Sequence, residues 1–184
     1  NLRPAVLDGK LFVADRKGRT MAIDAVTGKV IWTVKTGAAV SAGPGAGEGL
    51  VLLGTSNAEV IALDIADGKE VWRSAVSSEV LSVPQTDFEK VIVQTADGNV
   101  TALDASSGQQ LWIYDRTVPV LTLRGTSTPA VKHGLVVAGF SSGKLTALSA
   151  DKGLVAWETS IAIPRGRSEI ERIVDIDGNP VIEG

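Results

Sequence analysis

The chain of 184 residues carries 18 Lys and Arg against 21 Asp and Glu, a formal net charge of −3, so no basic excess exists to neutralise a nucleic-acid backbone. Hydrophobic residues make up 44% of it, which argues against disorder, and no apolar run approaches the roughly 18 residues of a membrane-spanning helix. With no cysteine and a single histidine, His133, disulfides, thiolate sites and multi-histidine metal cages are excluded, and we predict neither a metal nor a cofactor.

Five residue types recur in register and define an internal repeat. The tryptophans stand at intervals of 40, 40 and 45 residues, each with a glycine four residues before it, an aspartate eight before, an alanine ten before and a proline 28 before. Only the fourth unit departs, with Ser149 at the aspartate position. The tryptophans and glycines are Trp32, Trp72, Trp112, Trp157, Gly28, Gly68, Gly108 and Gly153. The predicted repeats are about 4–43, 44–83, 84–128 and 129–179, with 180–184 beginning a fifth.

The first repeat consists of short strands separated by turns. Residues 11–14 are rich in β-forming side chains, and 16–18 predict a turn. Residues 20–23 predict a second strand, 24–28 predict a second turn, and 29–34 predict a third strand. Because several short strands recur about every 40 residues without a helical period, we predict an all-β fold, a β-propeller with four-stranded antiparallel blades. The same pattern covers 50–76, 91–114 and 135–161.

The residues in register are predicted to hold the blades together. Asp24 is placed to accept backbone N–H bonds from the next two or three residues, and Gly28 to supply the positive φ of that turn. Trp32 is suited to wedging between neighbouring blades. We expect Ala22 to be small because an indole from an adjoining repeat fits against it.

Each of these features also has a functional alternative. The tryptophans could form a stacking platform for sugars or bases, but their register with glycine and aspartate favours packing. Asp24, Asp64 and Asp104 could be catalytic acids, but one per blade at turn positions should keep them apart. His133 is expected in an exposed hairpin turn, without the partner that a general base needs. The glycine-rich stretch 43–47 predicts a turn and not a phosphate loop, since no Lys-Ser/Thr and no helix follow it.

The string Ala-x-Asp-x-x-x-Gly-x-x-x-Trp at 22–32 resembles the tryptophan-docking motif of the PQQ-like β-propeller superfamily. Repeats at 62–72 and 102–112 match it fully, and 147–157 departs only at Ser149. The resemblance covers nearly the whole chain. It implies the fold more strongly than the function, because members include quinoprotein dehydrogenases and non-catalytic scaffolds.

Two further stretches, 120–129 and 167–178, resemble segments of the BamB family, lipoprotein factors of the bacterial machinery that assembles outer-membrane β-barrels. This resemblance implies an eight-bladed propeller in the periplasm, without known chemistry, that binds the POTRA region of the barrel component BamA. In the family a Leu-x-Leu-Arg loop and an Asp-x-Asp loop contribute to that binding. The corresponding residues are Leu121, Leu123, Arg124, Asp175 and Asp177.

The spacing supports these two segments independently. The distance from a tryptophan to the proline of the next repeat is 12 residues after the first and second tryptophans. It is 17 residues after Trp112 and 23 after Trp157. Insertions in repeat proteins go to loops on one face, often the binding face. Other interpretations remain open: Leu121 and Leu123 could lie in an inner strand, Asp175 and Asp177 in an acidic turn, or Arg124 could pair with one of these aspartates inside the protein.

The leading functional hypothesis is a non-enzymatic scaffold of the assembly machinery at the periplasmic face of the outer membrane, with unfolded barrel clients as possible further partners. A quinoprotein dehydrogenase fragment and a generic propeller binding module are the alternatives. The family's acylated N-terminal cysteine has no counterpart, and the four repeats correspond to about half of an eight-bladed ring. We therefore expect a lipid anchor only in a longer protein, and open blade ends that could self-associate.

Overall fold

The computed structural model describes residues 2–115, 127–140, 142–161 and 180–182. These residues form sixteen β-strands and no helix, so none of them belongs to a helix long and apolar enough to cross a membrane. The first eight strands are β1 (Ala5–Leu7), β2 (Lys10–Ala14), β3 (Arg19–Asp24), β4 (Val30–Lys35), β5 (Val40–Gly47), β6 (Leu50–Thr55), β7 (Glu59–Asp64) and β8 (Glu70–Ala75). The others are β9 (Gln85–Asp87), β10 (Lys90–Gln94), β11 (Val100–Asp104), β12 (Gln110–Tyr114), β13 (Ala130–Lys132), β14 (Leu135–Gly139), β15 (Lys144–Ser149) and β16 (Val155–Ser160).

The strands form four separate antiparallel sheets, each made of four consecutive strands in chain order. The first strands of neighbouring sheets contact one another, β1 with β5, β5 with β9 and β9 with β13. The first strand of each sheet is therefore the innermost, and the fourth is the outermost. The predicted fold class is confirmed: the chain is a partial β-propeller of about four blades.

The turns of each blade divide between two faces of the propeller. On the first, called the turn face, the β1–β2 turn meets the β3–β4 turn at 24–28, where the Ala25 N–H donates to the Gly9 carbonyl at 2.8 Å. On the opposite side, called the connection face, the β2–β3 turn at 15–18 meets the link from β4 to β5. There the Thr36 N–H donates to the Gly18 carbonyl at 3.0 Å. The links between blades consequently all start and end on the connection face.

Each repeat alanine lies opposite the tryptophan of its own blade. Ala22 pairs across the β3–β4 hairpin with Trp32, and Ala62 pairs likewise with Trp72. The expectation that an indole from an adjoining repeat fits against Ala22 is therefore wrong. A hairpin closed by the turn at 24–28 brings residues ten apart into register, and the small alanine leaves room for the indole of the same hairpin.

The indole then reaches across to the next blade. Trp72 Nε1 donates to the Ala105 carbonyl at 2.7 Å, and a Cβ added to Gly108 would lie 2.7 Å from the Trp72 ring. Only a glycine permits this approach, and its φ of +71° also suits glycine. We call this contact, in which an indole of one blade packs on a glycine of the next, a joint. The same kind of joint links Trp32 with Gly68 and Trp112 with Gly153.

Three hydrophobic clusters fill the spaces between consecutive blades. The first joins Phe12 and Trp32 to Val51, Leu53 and Ile61 of the second blade. The second and third clusters are built in the same way between the later blades. Since successive residues of a strand point to opposite faces, every internal blade contributes to two clusters.

The glycine-rich stretch 43–47 lies within strand β5, so the turn predicted for it is wrong. A Cβ on Gly45 would overlap the carbonyl oxygen of Pro84, and one on Gly47 would overlap the side chain of Thr86. The glycines let the inner strands of two blades approach closely. Two register shifts in the β5–β6 pairing accompany this arrangement.

We expect Trp72→Ala to lower the free energy of unfolding by about 3–5 kcal/mol, the usual cost of removing a large buried aromatic side chain. Trp72 is 7% exposed, so its removal leaves a cavity between two blades and deprives the Ala105 carbonyl of its donor. A urea titration of dilute protein followed by circular dichroism measures the change. The control Trp157→Ala removes an indole that is 44% exposed and should cost less than half as much. An unchanged midpoint for Trp72→Ala would contradict the packing role.

Candidate functional site

The five predicted partner-binding residues fall in two segments outside the described residues. Leu121, Leu123 and Arg124 belong to 116–126, and Asp175 and Asp177 belong to 162–179. Their binding role therefore stays a prediction. The described residues do define the positions at which each segment leaves and rejoins the propeller.

The ends of the first segment are held by the third and fourth blades. Tyr114 is the last residue of strand β12. The centroid of its ring lies 6.1 Å from the ring centroid of Phe140, which belongs to the β14–β15 turn. Where the chain is described again, the Thr128 hydroxyl accepts a hydrogen bond from the Val83 N–H at 3.4 Å. Strand β13 follows at Ala130. The segment thus runs from an outermost strand to the innermost strand of the next blade.

The second segment starts and ends beside the fourth blade. The Ile161 N–H donates to the Gly143 carbonyl at 2.9 Å, which fixes the chain just after β16. At the far end, Lys132 Nζ donates to the Ile182 carbonyl at 3.5 Å, so 180–182 lie next to strand β13. This segment therefore also leads from an outermost strand back to the inner side of the propeller.

The described ends place both segments at consecutive junctions of the connection face. One segment precedes the fourth blade and the other follows it, and each departs where an outermost strand ends. The two shorter links, 36–39 and 76–84, occupy the same positions at the earlier junctions. The described ends of the two insertions therefore lie at adjacent junctions between blades.

Ion pairs line the described part of the connection face. Arg73 lies 3.3 Å from Glu59 and 2.9 Å from Glu70, and it also donates to the Thr36 carbonyl. The carboxylates, Glu70 first, raise the pKa of Arg73. Lys144 pairs with Glu158 beside the start of the second segment. The Arg73 cluster has one positive charge against two negative charges, and partly exposed pairs of this kind contribute little to stability individually.

On the turn face, the repeat aspartates accept hydrogen bonds from residues of their own turns. Asp104 Oδ1 accepts hydrogen bonds from the Ser106 hydroxyl and N–H and from the Ser107 hydroxyl and N–H, at 2.6–3.0 Å. These bonds, led by the Ser106 hydroxyl, hold the pKa of Asp104 below its usual value of 3.8. Asp24 binds Thr27 and Val26 in the same way, and its pKa is also lowered. This arrangement serves turn formation and offers no paired carboxylates for acid–base chemistry.

Metal ligation and histidine catalysis find no support in the described ranges either. Within them, no three His, Cys, Asp or Glu side chains come together as a group that could hold a metal ion. His133 lies in the exposed β13–β14 turn with a φ of +53°, as its sequence context predicts. It therefore sits on the turn face, opposite the face from which the two long segments depart.

We expect Asp104→Asn to reduce the pH dependence of stability in acid. Hydrogen bonds in the folded state stabilise the charged carboxylate of Asp104, so the pKa of this group is lower in the folded state than in the unfolded state. The stabilisation is complete above the unfolded pKa near 3.8 and is lost as pH falls through the folded pKa. Thermal midpoints recorded at pH 6 and at pH 3 should therefore differ less for Asp104→Asn than for the unchanged chain.

A direct titration provides the second check. The carboxyl carbon of Asp104, followed by NMR, should titrate below pH 3.8 in the unchanged protein. A value at or above 3.8, or an identical loss of thermal stability in both proteins, would contradict the proposed turn bonding.

Comparison with known proteins identifies the family. The model of the family "Outer membrane protein assembly factor BamB" matches residues 2–42 and 16–184. The outer membrane protein assembly factor BamB of Pseudomonas aeruginosa is 62% identical over 183 residues, covering 100% of this chain and 48% of the relative. The chain thus spans about half the length of the curated relatives that it matches.

Solved structures agree with the fold. The crystal structure of BamB from Moraxella catarrhalis matches with a TM-score of 0.91 and 28% identity, over 99% of this chain and 55% of that one. The quinohemoprotein alcohol dehydrogenase from Comamonas testosteroni matches with a TM-score of 0.70 and 22% identity, over 87% of this chain and 34% of that one, a likeness of fold alone. Taken with the family match along the whole chain, these similarities show that the chain belongs to the outer membrane protein assembly factor BamB family.

Proposed function

We propose that this chain acts as a non-catalytic scaffold in the machinery that assembles and inserts outer-membrane proteins. The observation that carries the proposal is the 62% identity, along the whole chain, to a protein named as an outer membrane assembly factor. At this level of identity the exposed loops are expected to resemble those of the relative as well as the core. The chain works at the periplasmic face of the outer membrane, where a lipid anchor holds the full-length protein.

The partner is the POTRA region of BamA, and the two long segments of the connection face bind it. Two observations support this surface: both segments are insertions in an otherwise regular repeat, and their described ends lie at consecutive junctions of one face. Loops presented by a rigid β-scaffold are common binding sites, because the scaffold fixes their ends at little entropic cost.

The five residues have distinct chemical roles in this proposal. Leu121 and Leu123 supply apolar contact, and Arg124 supplies directional donors to a carbonyl or carboxylate of the partner. Asp175 and Asp177 lie two residues apart, so an extended backbone would place both carboxylates on one side. They orient Arg124 or pair with a basic residue of BamA.

Unfolded barrel proteins are a further class of partner in this proposal. All six residues of β16 are exposed, and the outermost strand of a blade has one edge that no other strand of its sheet pairs. An extended client segment could add to such an edge through main-chain hydrogen bonds. This step would follow recruitment of the complex and needs no chemistry from the chain.

We expect Leu123→Ala, Arg124→Ala and Asp177→Ala together to abolish binding to the periplasmic domains of BamA. Truncating buried interface residues costs about 2 kcal/mol each at hot spots, so the triple variant should bind at least about 100-fold more weakly. Isothermal titration with the purified periplasmic domains measures the dissociation constant. Unchanged secondary structure by circular dichroism shows that the variant still folds.

A matched control removes the same chemical types from elsewhere. Val71→Ala, Lys69→Ala and Asp67→Ala take one apolar side chain from β8 and an exposed ion pair from the turn face. This control should bind as the unchanged chain does. Undiminished binding by the Leu123, Arg124 and Asp177 variant would reject the site.

A separate assay tests the non-catalytic assignment. Reduction of a dye by the chain after addition of quinone and calcium would reject it.

A further inference from the structure

The third repeat differs from the others in the charge of its outermost strand. In each repeat, the residues from seven before the tryptophan to two after it form the last turn of the turn face and most of that strand. They include one charged residue at 25–34, four at 65–74 and three at 150–159. The corresponding stretch 105–114 includes none. Strand β12, which lies in this stretch, is therefore uncharged along its whole length.

Strand β12 also has a free edge that is open to solvent. It is the last strand of its sheet and pairs with β11 alone. Among the described residues, no backbone group forms a hydrogen bond with its outer edge. Leu111 and Ile113 of this strand are 47% and 42% exposed. Hydrophobic clusters pack the third blade against the second and the fourth, so a neighbouring blade on either side still leaves these two side chains exposed.

The corresponding strand of the second blade, β8, carries charged groups instead. Arg73 has the repeat position of Ile113, and its guanidinium lies 2.9 Å from the carboxylate of Glu70. In the third blade the position of Glu70 is taken by Gln110. Charged side chains on an edge strand oppose pairing with another chain, because pairing would remove them from water. Both of these internal blades have a free edge, but only that of β8 has this protection.

The isoleucine at position 113 does not improve the packing of its own blade. Ile113 lies opposite Thr101 in the β11–β12 pair, and the buried Thr101 hydroxyl has no hydrogen-bond partner in the described part of the chain. At the same positions in the fourth blade, the Thr146 hydroxyl donates to Glu158 at 3.2 Å. An unbonded buried hydroxyl is destabilising, and a polar residue at 113 would remove this defect. A contact with another molecule explains the apolar side chain better than the stability of the blade does.

We propose that an unfolded segment of an outer-membrane β-barrel protein adds to β12 as a fifth strand of the third blade. This inference rests on the proposed function, which includes such clients, and names the strand that receives them. The unpaired main-chain groups of an edge are matched by another extended backbone, so the occupant is a strand. A membrane-spanning barrel strand alternates apolar and polar residues. Its apolar residues can cover Leu111 and Ile113, and no ion on β12 has to leave water.

A β-bulge limits how much of β12 a client can use. The β11–β12 register shifts between Ala102 and Leu103, which leaves Leu111 without a direct partner on β11. The regular part of the edge is therefore 112–114. Few main-chain hydrogen bonds can form along it, so the contact is weak and reversible. A weak contact suits a scaffold that must release its client for insertion.

Fluorescence anisotropy of a labelled synthetic peptide tests the proposal. In the peptide, valine or tyrosine alternates with threonine, and lysines at both ends keep it soluble. The double variant Gln110→Glu, Ile113→Arg gives β12 the charged pair that β8 already accommodates, so it should fold. It should bind the peptide at least about tenfold more weakly than the unchanged chain does. Equal affinity would overturn the proposal.

A matched control places the same charged pair on another outermost strand. Val30→Glu and Thr33→Arg change the same repeat positions in β4. This control should bind the peptide as the unchanged chain does. A loss of affinity equal to that of the β12 variant would overturn the assignment to β12.

A methylated peptide separates strand pairing from apolar contact alone. N-methylation of all the central residues removes the main-chain donors on both edges of the peptide and keeps its side chains. The methylated peptide should not bind measurably, because it cannot donate to the carbonyls of the β12 edge. Undiminished binding of the methylated peptide would overturn strand addition.

The same variants separate this proposal from the proposed binding to BamA. The β12 variant should bind the periplasmic domains of BamA as the unchanged chain does, and the Leu123, Arg124 and Asp177 variant should still bind the peptide. Weaker BamA binding by the β12 variant would assign the edge to BamA and overturn the client proposal. A reversible dimer in sedimentation velocity that the β12 variant cannot form would assign the edge to a second copy and overturn it as well.

Discussion

The structure depends on one constraint: a four-stranded antiparallel sheet has two apolar faces and cannot bury either of them alone. Each blade meets this constraint by sharing its side chains with both neighbours, and the indole fixes the spacing between them. Trp72 shows how: it covers Ala62 in its own hairpin, packs on Gly108 of the next blade and gives its only donor to Ala105. One indole ring therefore buries apolar surface, packs closely on a glycine turn and has its N–H hydrogen-bonded.

The same requirement explains why the repeat was visible in the sequence and where sequence reasoning failed. The spacing of Trp32 and Gly28 recurs because every joint needs the same distances, so fold class and blade order could be predicted. The partner of Ala22 was misassigned because the repeat alone does not say which strands pair. Residues 43–47 were misassigned because glycine and proline indicate turns locally, whereas here glycine allows two inner strands to approach.

The candidate binding residues could not be derived in the same way. Leu121, Arg124 and Asp177 lie outside the repeat register, so no periodic packing requirement constrains them. Two weaker signals pointed to them, the resemblance of two stretches to a known family and the excess length of two links. The structure adds a physical reason for considering both links together, because their described ends lie on one face at consecutive junctions. What each side chain contacts depends on the partner as much as on the chain.

The fold assigns different surfaces to assembly of the ring and to recognition of a partner. The joints use the broad sides of the sheets, whereas the described ends of the long links lie at the connection face. A residue such as Gly108 can therefore be changed without altering the links, and Arg124 can be changed without altering a joint. Because the two surfaces are independent, blades can stay nearly identical while the links vary in length and chemistry. A propeller of this kind acquires a new partner by changing its links, since a change in a joint is opposed by the packing of the two blades that share it.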